Sequence, residues 1–235
     1  MTTGCSTGKP QLTEKSYIYV KKEMPADPAM IRTIQPYTQQ IERILNEAIG
    51  YAPQSLSKGK PNAPLGNYIS DLLLGFARNR SDIPRADMAI FNNGGLRTSI
   101  PADSVRIRDI FELMPFENAL VLVKMPGDSI LKIAPYLLER GGEPVAGLRF
   151  HSANGQTECF LVDGKNVEAG QSYYVLTSDY LAAGGDRMYF FGGLPRVSLN
   201  IKMRDAIIDA MRNDFRNGQY VRAEADDRLL IKKTK

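Results

Sequence analysis

Two asparagines, two glycines and an arginine stand together where a short apolar run ends. Met88–Ile90 has the composition of a buried strand, and residues 92–97 follow it directly after Phe91. Glycine allows a sharp turn and a close approach of the backbone to a ligand. Asparagine offers a donor and an acceptor, and arginine offers a rigid fork of donors for carboxylate or phosphate. The segment predicts either one wall of a small-molecule site or a tight turn capped by a surface arginine.

Two further segments carry side chains that suit a nucleoside. Phe116 and Asn118 stand two residues apart just before an apolar run, and Tyr180 precedes Asp186 by a short glycine-containing stretch. Two exposed aromatic rings can stack on both faces of a flat base, and an aspartate can accept hydrogen bonds from a ribose diol. With an arginine for phosphate, this set describes a nucleoside-phosphate site. The alternatives are core packing for the aromatic residues and a turn cap for the aspartate.

Helices and strands must bring these segments together. Apolar residues at three- and four-residue spacing predict helices, and β-rich or apolar runs predict strands. The predicted helices are 27–50, 68–79, 108–113, 130–140 and 203–216, and the predicted strands are 16–20, 88–91, 119–125, several short ones within 145–175, and 173–177. Hairpin turns are predicted at 154–155 and 163–164. This pattern favours one α+β domain over residues 15–235, with a mixed β-sheet flanked by helices, behind a disordered tail at 1–14.

Composition and charge exclude several classes of function. The 235 residues carry a net charge of +4 with acidic and basic residues interspersed, and no basic stripe is interleaved with aromatics, so we expect no nucleic-acid partner. No apolar stretch approaches the ~20 residues that span a bilayer. His151 is the single histidine of the sequence. Because histidine is the commonest transition-metal ligand, this count excludes most transition-metal sites. A calcium or magnesium site made of carboxylates alone stays open, although no acidic cluster has EF-hand spacing. We expect no cofactor in this chain.

The N-terminus contains a motif that bears on localisation. Gly4, Cys5 and Ser6 resemble the cleavage box of a bacterial lipoprotein, in which Cys5 becomes the lipidated first residue. The apolar segment that precedes such a box is missing from the sequence, so this hypothesis includes a lost signal segment. Its alternative is a polar tail with a chance cysteine. The lipoprotein hypothesis predicts a protein of the bacterial cell envelope, periplasmic or lipid-anchored.

Four pieces of the chain, in their order and spacing, resemble the C-terminal domain of the bacterial and animal 5'-nucleotidase and UDP-sugar hydrolase family. The pieces are residues 65–71 (Leu-Gly-Asn-Tyr-Ile-Ser-Asp), 92–97, 109–118 and 174–186. Each piece is a weak signal alone, and the combination is specific. The resemblance covers most of the chain from about residue 15, and it implies the α+β fold of that domain.

The resemblance implies a division of labour. In that family a larger N-terminal metallophosphoesterase domain holds two metal ions, and the C-terminal domain holds the nucleotide and delivers its phosphate to them. On the matching positions, Arg97 would bind phosphate and Asn92 would lie beside the reacting end of the ligand.

The same resemblance assigns the rest of the ligand. Phe116 and Tyr180 would stack on the base from both sides, and Asn118 would contact its edge. Asp186 would take the ribose hydroxyls. The substrate-binding positions implied on this side are Phe116, Asn118, Tyr180, Gly184, Gly185 and Asp186.

The chain departs from the family in four respects. Tyr180 stands where phenylalanine is more usual, and Arg187 stands where the family commonly has glycine, so its cation could narrow the pocket or add a phosphate contact. The chain also lacks the metallophosphoesterase domain, so we expect no catalytic residue in it, and divalent metal ions only in a partner. An arginine that the family carries ahead of residues 65–71 is replaced by Lys58 or Lys60, each of which brings only a point charge to a phosphate. The leading hypothesis is a nucleotide-catabolic domain that presents a nucleoside phosphate to a separately encoded dimetal phosphoesterase. The alternatives are a non-catalytic nucleoside-binding module and a degenerate domain kept for protein interaction.

Overall fold

The computed structural model describes residues 17, 19, 21 and 24–232. The chain divides into two compact units, Met1–Glu42 and Arg43–Lys235. In chain order the helices and strands are α1 (Pro28–Leu45), β1 (Ala48–Ala52), α2 (Pro64–Arg78), β2 (Met88–Ile90), β3 (Asp103–Arg106), α3 (Ile107–Leu113), β4 (Ala119–Pro126), α4 (Gly127–Ile130), α5 (Ile133–Arg140), β5 (Val145–Ala146), β6 (Leu148–Ala153), β7 (Gln156–Val162), β8 (Lys165–Asn166), β9 (Ser172–Ser178), α6 (Asp179–Ala182), β10 (Arg196–Lys202), α7 (Met203–Arg216) and β11 (Leu229–Lys232).

The first helix begins where the sequence predicts and ends earlier. The Asp27 carboxylate accepts the backbone N–H of Ala29 at 2.7 Å, which satisfies one of the free donors at the start of α1. The predicted extension of this helix to Gly50 is wrong, because residues 48–52 form β1 and pair with β3 in an antiparallel ladder. The predicted strand at 16–20 lies mostly outside the described residues, and Cys5 lies outside them entirely.

Five strands form the central sheet, in the order β10-β4-β9-β2-β5. β2 runs parallel to β9, and the other neighbouring pairs are antiparallel. Because side chains alternate between the two faces of a strand, Leu120 and Leu122 of β4 join one apolar cluster, and Val121 and Val123 join the other. Residues of α2 and α7 fill the first cluster, and residues of α5 fill the second. The predicted α+β class, with a mixed sheet flanked by helices, is confirmed.

Two smaller sheets accompany the central one. β1 and β3 form a two-stranded sheet, and four strands form another in the order β11-β6-β7-β8. The predicted hairpin turns are confirmed, since residues 154–155 connect β6 to β7 and residues 163–164 connect β7 to β8. β11 runs parallel to β6, and it is a strand that the sequence pattern does not predict.

The helices agree with the sequence pattern except at some ends. α2 begins at Pro64, four residues before the predicted start, because proline fits the first helical position, where its missing N–H is not needed. The predicted helix at 130–140 is interrupted and forms α4 and α5. α5 ends at Gly141, which adopts the left-handed conformation typical of a residue that terminates a helix. Within the described residues, no helix has the length and apolar character needed to cross a bilayer.

The strand directions explain why three distant segments meet. β2 and β9 are parallel, so their carboxyl ends lie at the same edge of the central sheet. β4 is antiparallel to β9, and therefore its first residue lies at that edge as well. Residues 92–97 follow β2, residues 114–118 precede β4, and residues 180–186 follow β9. The topology thus gathers all three chemically distinctive segments at one edge of the sheet.

Candidate functional site

A cavity of about 340 Å³ lies where the three segments meet. It is lined by Asn92, Gly94, Gly95, Arg97, Phe116, Asn118, Tyr180 and Asp186. The structure therefore brings together six of the predicted substrate-binding side chains and adds the two glycines of the turn after β2. Gly184 and Gly185 do not line the cavity, and they act instead through the backbone turn that carries Asp186.

The turn after β2 is tight and internally braced. Asn92 is in extended conformation, and residues 93–95 form one turn of 3₁₀ helix. A Cβ atom on Gly95 would lie 2.8 Å from Asn92 Oδ1, so the side chain of Asn92 folds against the glycine backbone. The backbone N–H of Arg97 donates to the carbonyl of Leu113 at 2.8 Å, which ties this turn to the end of α3. The turn is thus a fixed wall of the cavity.

Asp186 is the carboxylate of the cavity lining, and two neighbouring side chains orient it. The amide of Asn92 donates to Asp186 Oδ2, and the hydroxyl of Tyr180 donates to Oδ1 at 3.3 Å. Asp186 adopts a left-handed backbone conformation with φ of 49°, directly after Gly184 and Gly185. Asparagine and aspartate tolerate that conformation better than most residues. The carboxylate consequently projects toward the turn after β2.

The two aromatic side chains of the lining are accessible to a ligand. Phe116 is 39% exposed and Tyr180 is 47% exposed, in contrast to the fully buried Phe91 nearby in sequence. The Tyr180 ring lies over the backbone of Gly185, where an added Cβ would come within 2.5 Å of the ring. The guanidinium carbon of Arg97 is 5.9 Å from the centre of the Phe116 ring. Exposed rings beside a cation and a carboxylate are the groups that stack on and bind a nucleoside phosphate.

A buried arginine that the sequence analysis missed holds the Phe116 segment. Arg204, at the start of α7, is 6% exposed, and its guanidinium stacks over the Phe111 ring at 4.2 Å. It also donates to the carboxylate of Glu117. The hydrogen bonds from Lys202 and then from Arg204 lower the pKa of Glu117 to about 2. Nothing in the local sequence places α7 against this segment, since the contact spans almost ninety residues.

Lys58 and Lys60, the two lysines predicted to replace the family's additional arginine, lie in different places. Lys58 Nζ donates to the carbonyl oxygen of Leu96 at 2.9 Å, directly beside Arg97. Lys60 Nζ donates to the carbonyl oxygen of Arg140 at the end of α5. Neither lysine lines the cavity, and Lys58 is the one that adds positive charge at its arginine end.

A larger cavity, about 690 Å³, lies between α2, α7 and residues 219–223. Its lining mixes acidic and basic side chains with scattered aromatic ones, and it contains none of the residues gathered at the sheet edge. The smaller cavity is the stronger candidate because its polar groups converge from three separate loops on rigid strands. Within residues 24–232 no group of three or more histidine, cysteine, aspartate or glutamate side chains is placed to hold a metal ion.

The chain is similar to known proteins over most of its length. The family model described as "5'-nucleotidase, C-terminal domain" matches residues 46–193. A 5'-nucleotidase of Vibrio vulnificus is 28% identical over 182 residues, which are 72% of this chain and 31% of that protein. Protein UshA of Yersinia enterocolitica is 26% identical over 200 residues, which are 82% of this chain and 35% of that protein. The chain thus spans about a third of the length of these relatives.

Solved structures share the fold. The crystal structure of a 5'-nucleotidase precursor from Thermus thermophilus superimposes with a TM-score of 0.70 at 21% identity, covering 90% of this chain and 44% of that one. The NAD nucleotidase of Haemophilus influenzae superimposes with a TM-score of 0.65 at 18% identity, covering 89% of this chain and 42% of that one. At these identities the similarity establishes the architecture alone.

Proposed function

The chain belongs to the family of 5'-nucleotidase C-terminal domains, and we propose that its sheet-edge cavity binds a nucleoside 5'-monophosphate or the corresponding nucleoside. The base lies between the rings of Phe116 and Tyr180, and Asn118 contacts its edge. Asp186 accepts the hydroxyl groups of the ribose. At the other end, beside Asn92, the guanidinium of Arg97 binds the phosphate.

The observation that carries this proposal is the convergence of complementary groups on one cavity. Phe116, Tyr180, Asp186 and Arg97 come from three segments that lie far apart in the sequence, and all four line the same 340 Å³ space. Two accessible rings, one carboxylate and one guanidinium match a flat base, a diol and a phosphate in number and in kind. An internal turn or a packed core would not require this combination.

The binding site serves nucleotide catabolism together with a second protein region. We propose that a separately encoded metallophosphoesterase, with two divalent metal ions, hydrolyses the phosphate that this chain presents. In such a site the metal ions activate water and stabilise the charge of the reacting phosphate.

A thermal unfolding assay tests the binding proposal. A ligand that binds only the folded state stabilises it by about 2.7 kcal/mol at 100 times its Kd. For a chain of this size, that corresponds to a rise in Tm of roughly 5–10 °C. We expect this rise with adenosine and with AMP, and none with ribose 5-phosphate at the same concentration. Absence of a shift with every nucleoside and nucleotide tested would contradict the proposal.

A hydrolysis assay tests the division of labour. We expect no phosphate release from AMP by the purified chain, with or without added divalent metal ions. Release is expected when a lone metallophosphoesterase of the same genome is added, and it should decrease when Arg97 is replaced by alanine. Metal-dependent hydrolysis by the chain alone would contradict the assignment of catalysis to a partner, whereas binding without hydrolysis in any mixture would favour a non-catalytic nucleoside-binding module.

We also propose that the protein acts in the bacterial cell envelope, with Cys5 as the lipidated residue. The relatives described above are bacterial, and Gly4, Cys5 and Ser6 resemble a lipoprotein cleavage box. Mass spectrometry of the natively expressed gene product is expected to show an acylated Cys5. An unmodified Cys5 would contradict the lipid anchor, and recovery of the protein in the cytosolic fraction would contradict the envelope localisation.

A further inference from the structure

A buried carboxylate lies beside the cavity and holds two of its surrounding elements. Glu143 is 1% exposed, and its Oε2 accepts the backbone N–H of Asn93 at 2.6 Å and the Asn93 side-chain amide at 3.0 Å. Its Oε1 accepts Arg140 Nε at 2.9 Å. A buried charge is tolerated when it is paired and hydrogen-bonded in this way. Glu143 therefore fixes the turn after β2 and the side chain of Arg140 relative to each other.

The other end of the Arg140 guanidinium faces the side-chain carboxylate of Asp186 in the cavity lining. Arg140 Nη2 lies 4.0 Å from Asp186 Oδ2, the same oxygen that accepts the amide of Asn92. The guanidinium is planar and rigid, so its orientation at Asp186 follows from its hydrogen bond to Glu143. From residues 24–232, the remaining oxygen, Asp186 Oδ1, accepts a single hydrogen bond, which Tyr180 donates at 3.3 Å. Oδ1 is thus the oxygen left to accept a hydroxyl group of a ligand.

We propose that Arg140, anchored by Glu143, is a positioning residue that turns Asp186 Oδ1 toward the ribose hydroxyls and so makes the cavity selective for ribonucleosides. Arg140 does not line the cavity and touches no part of the ligand. It acts through Asp186, because it engages Oδ2 and leaves Oδ1 available. This inference rests on the proposed function of the cavity and adds to it the determinant of sugar selectivity.

A neighbouring arginine provides a matched control. Arg187 follows Asp186 directly in sequence, but its guanidinium pairs with Glu139 at 3.1 Å and is 69% exposed. It does not line the cavity. The Arg187→Met substitution removes the same charge at a similar place in the chain without removing a contact to Asp186.

Isothermal titration calorimetry with adenosine and with 2',3'-dideoxyadenosine tests the proposal, because these ligands differ only in the sugar hydroxyls. The wild-type protein is expected to bind adenosine more tightly. A ribose hydroxyl that loses its hydrogen bond to the Asp186 carboxylate loses about 1.5 kcal/mol or more, so Arg140→Met should weaken adenosine binding roughly tenfold and leave dideoxyadenosine binding within about twofold. Arg140→Lys should restore part of the difference, and Arg187→Met should bind both ligands as the wild type does.

Three outcomes would overturn the proposal. An equal loss of both ligands in Arg140→Met would mean that Arg140 supports the packing of the cavity in general. Unchanged adenosine binding in Arg140→Met would mean that Asp186 needs no such partner. Equal affinity of the wild-type protein for both ligands would mean that the cavity does not recognise the hydroxyls. If the folded wild-type protein binds neither nucleoside, the proposed function itself is wrong, and this result is distinct from the other three.

A double variant shows whether misfolding causes the loss of binding. Arg140→Met leaves Glu143 buried without its cation, which is costly, so the double variant Arg140→Met/Glu143→Gln is measured alongside it.

The Asp186→Asn variant provides the coupling test, since residues that act through one another give non-additive effects. In the Asp186→Asn background, Arg140→Met is expected to cause no further loss of adenosine affinity. A full additional tenfold loss in that background would show that Arg140 does not act through Asp186.

Discussion

The side chains around the cavity offer three different kinds of interaction, which makes their contributions to binding separable. Phe116 and Tyr180 present ring faces, Asp186 presents a carboxylate, and Arg97 presents a guanidinium. A base, a sugar and a phosphate can therefore be removed from the ligand one at a time and matched against one residue at a time. Each single-residue substitution is therefore expected to weaken the binding of some ligands and not of others.

Replacement of Phe116 by alanine is expected to weaken adenosine binding. Stacking of a base on an aromatic side chain contributes about 1–3 kcal/mol, so the Kd should rise roughly 5- to 150-fold. Phe215→Ala is the matched control, because Phe215 is similarly exposed but lies on α7 outside the cavity. Calorimetric titration measures both variants. Wild-type affinity in Phe116→Ala would remove the stacking assignment.

Replacement of Arg97 by alanine should separate the nucleotide from the nucleoside. Arg97 is exposed, so its pairing with a phosphate is partly screened and contributes about 1 kcal/mol or more. AMP binding is therefore expected to weaken at least fivefold, while adenosine binding changes by less than about twofold. Arg196→Ala, on β10 away from the cavity, should leave both affinities unchanged. A parallel loss of AMP and adenosine would show that Arg97 supports the turn and does not bind phosphate.

At the scale of elements, the ends of rigid strands set the position of each loop, and a few long-range contacts refine it. The backbone of Gly185 underlies the Tyr180 ring, and Arg204 together with Lys202 connects the start of α7 to Glu117. Gly185, Arg204 and Lys202 support the two aromatic side chains from outside the cavity lining. Their removal should change binding or stability in ways that differ from the loss of an aromatic side chain itself.

The Gly185→Ala substitution is expected to displace Tyr180. An added Cβ would lie 2.5 Å from the ring, closer than van der Waals contact permits, and the partly exposed ring is free to move outward. Adenosine affinity should therefore fall by about as much as in Tyr180→Ala, while Tm changes little. Gly170→Ala, where no atom lies within 4 Å of the new Cβ, is the control. Normal binding by Gly185→Ala would mean that Tyr180 does not need its observed position.

Glu117 gives a pH-dependent prediction. Its hydrogen bonds with Lys202 and Arg204 hold its folded-state pKa at about 2, below the ordinary value of 4.5. A lowered folded-state pKa stabilises the folded protein above pH 4.5, and the contribution is lost as the pH falls from about 4.5 to about 2. Glu117→Gln should therefore have a lower Tm than wild type near pH 6, and the gap should close in acid.

Thermal unfolding between pH 2.5 and 7 measures that gap. Glu158→Gln is the control, because Glu158 is an exposed carboxylate on β7. The Tm of the Glu158→Gln variant should differ little from that of the wild type at any pH. A Glu117→Gln gap that stays constant with pH would contradict the assigned ion pairs.

Helices and strands could be predicted from the sequence where the residue pattern is local. They were predicted less well where a strand depends on pairing with a distant strand. Periodicity and turn residues correctly placed α7, β4, β9 and the two hairpins. The same periodicity extended α1 to Gly50, because it contains no information that residues 48–52 have a distant partner strand in β3. β11 was missed for the same reason, since its partner β6 lies about eighty residues earlier.

At the scale of the whole molecule, the parallel and antiparallel order of β2, β9 and β4 creates the site. The chemical types of the lining residues could be predicted from sequence, because each segment carries side chains of an unusual kind at a strand end. The bracing charges of Glu143, Arg140 and Arg204 could not, because buried ion pairs have no sequence pattern. They become recognisable only when the strand order has placed them beside the cavity.

The chain spans about a third of the length of its curated relatives. Every residue of the cavity lining belongs to the second unit of the chain, Arg43–Lys235. Under the proposed function, the metal ions that hydrolysis requires would come from a partner. Nucleotide binding by the isolated chain is therefore the claim on which the remaining proposals depend.

Calorimetric titration of the purified chain with AMP, in the absence of any partner and of divalent metal ions, tests that claim most directly. We predict saturable binding of one AMP per chain that is lost in the Phe116→Ala/Tyr180→Ala double variant while its fold is retained. A folded wild-type protein that releases no binding heat with AMP at several temperatures, and is not protected by AMP against thermal unfolding, would contradict the account.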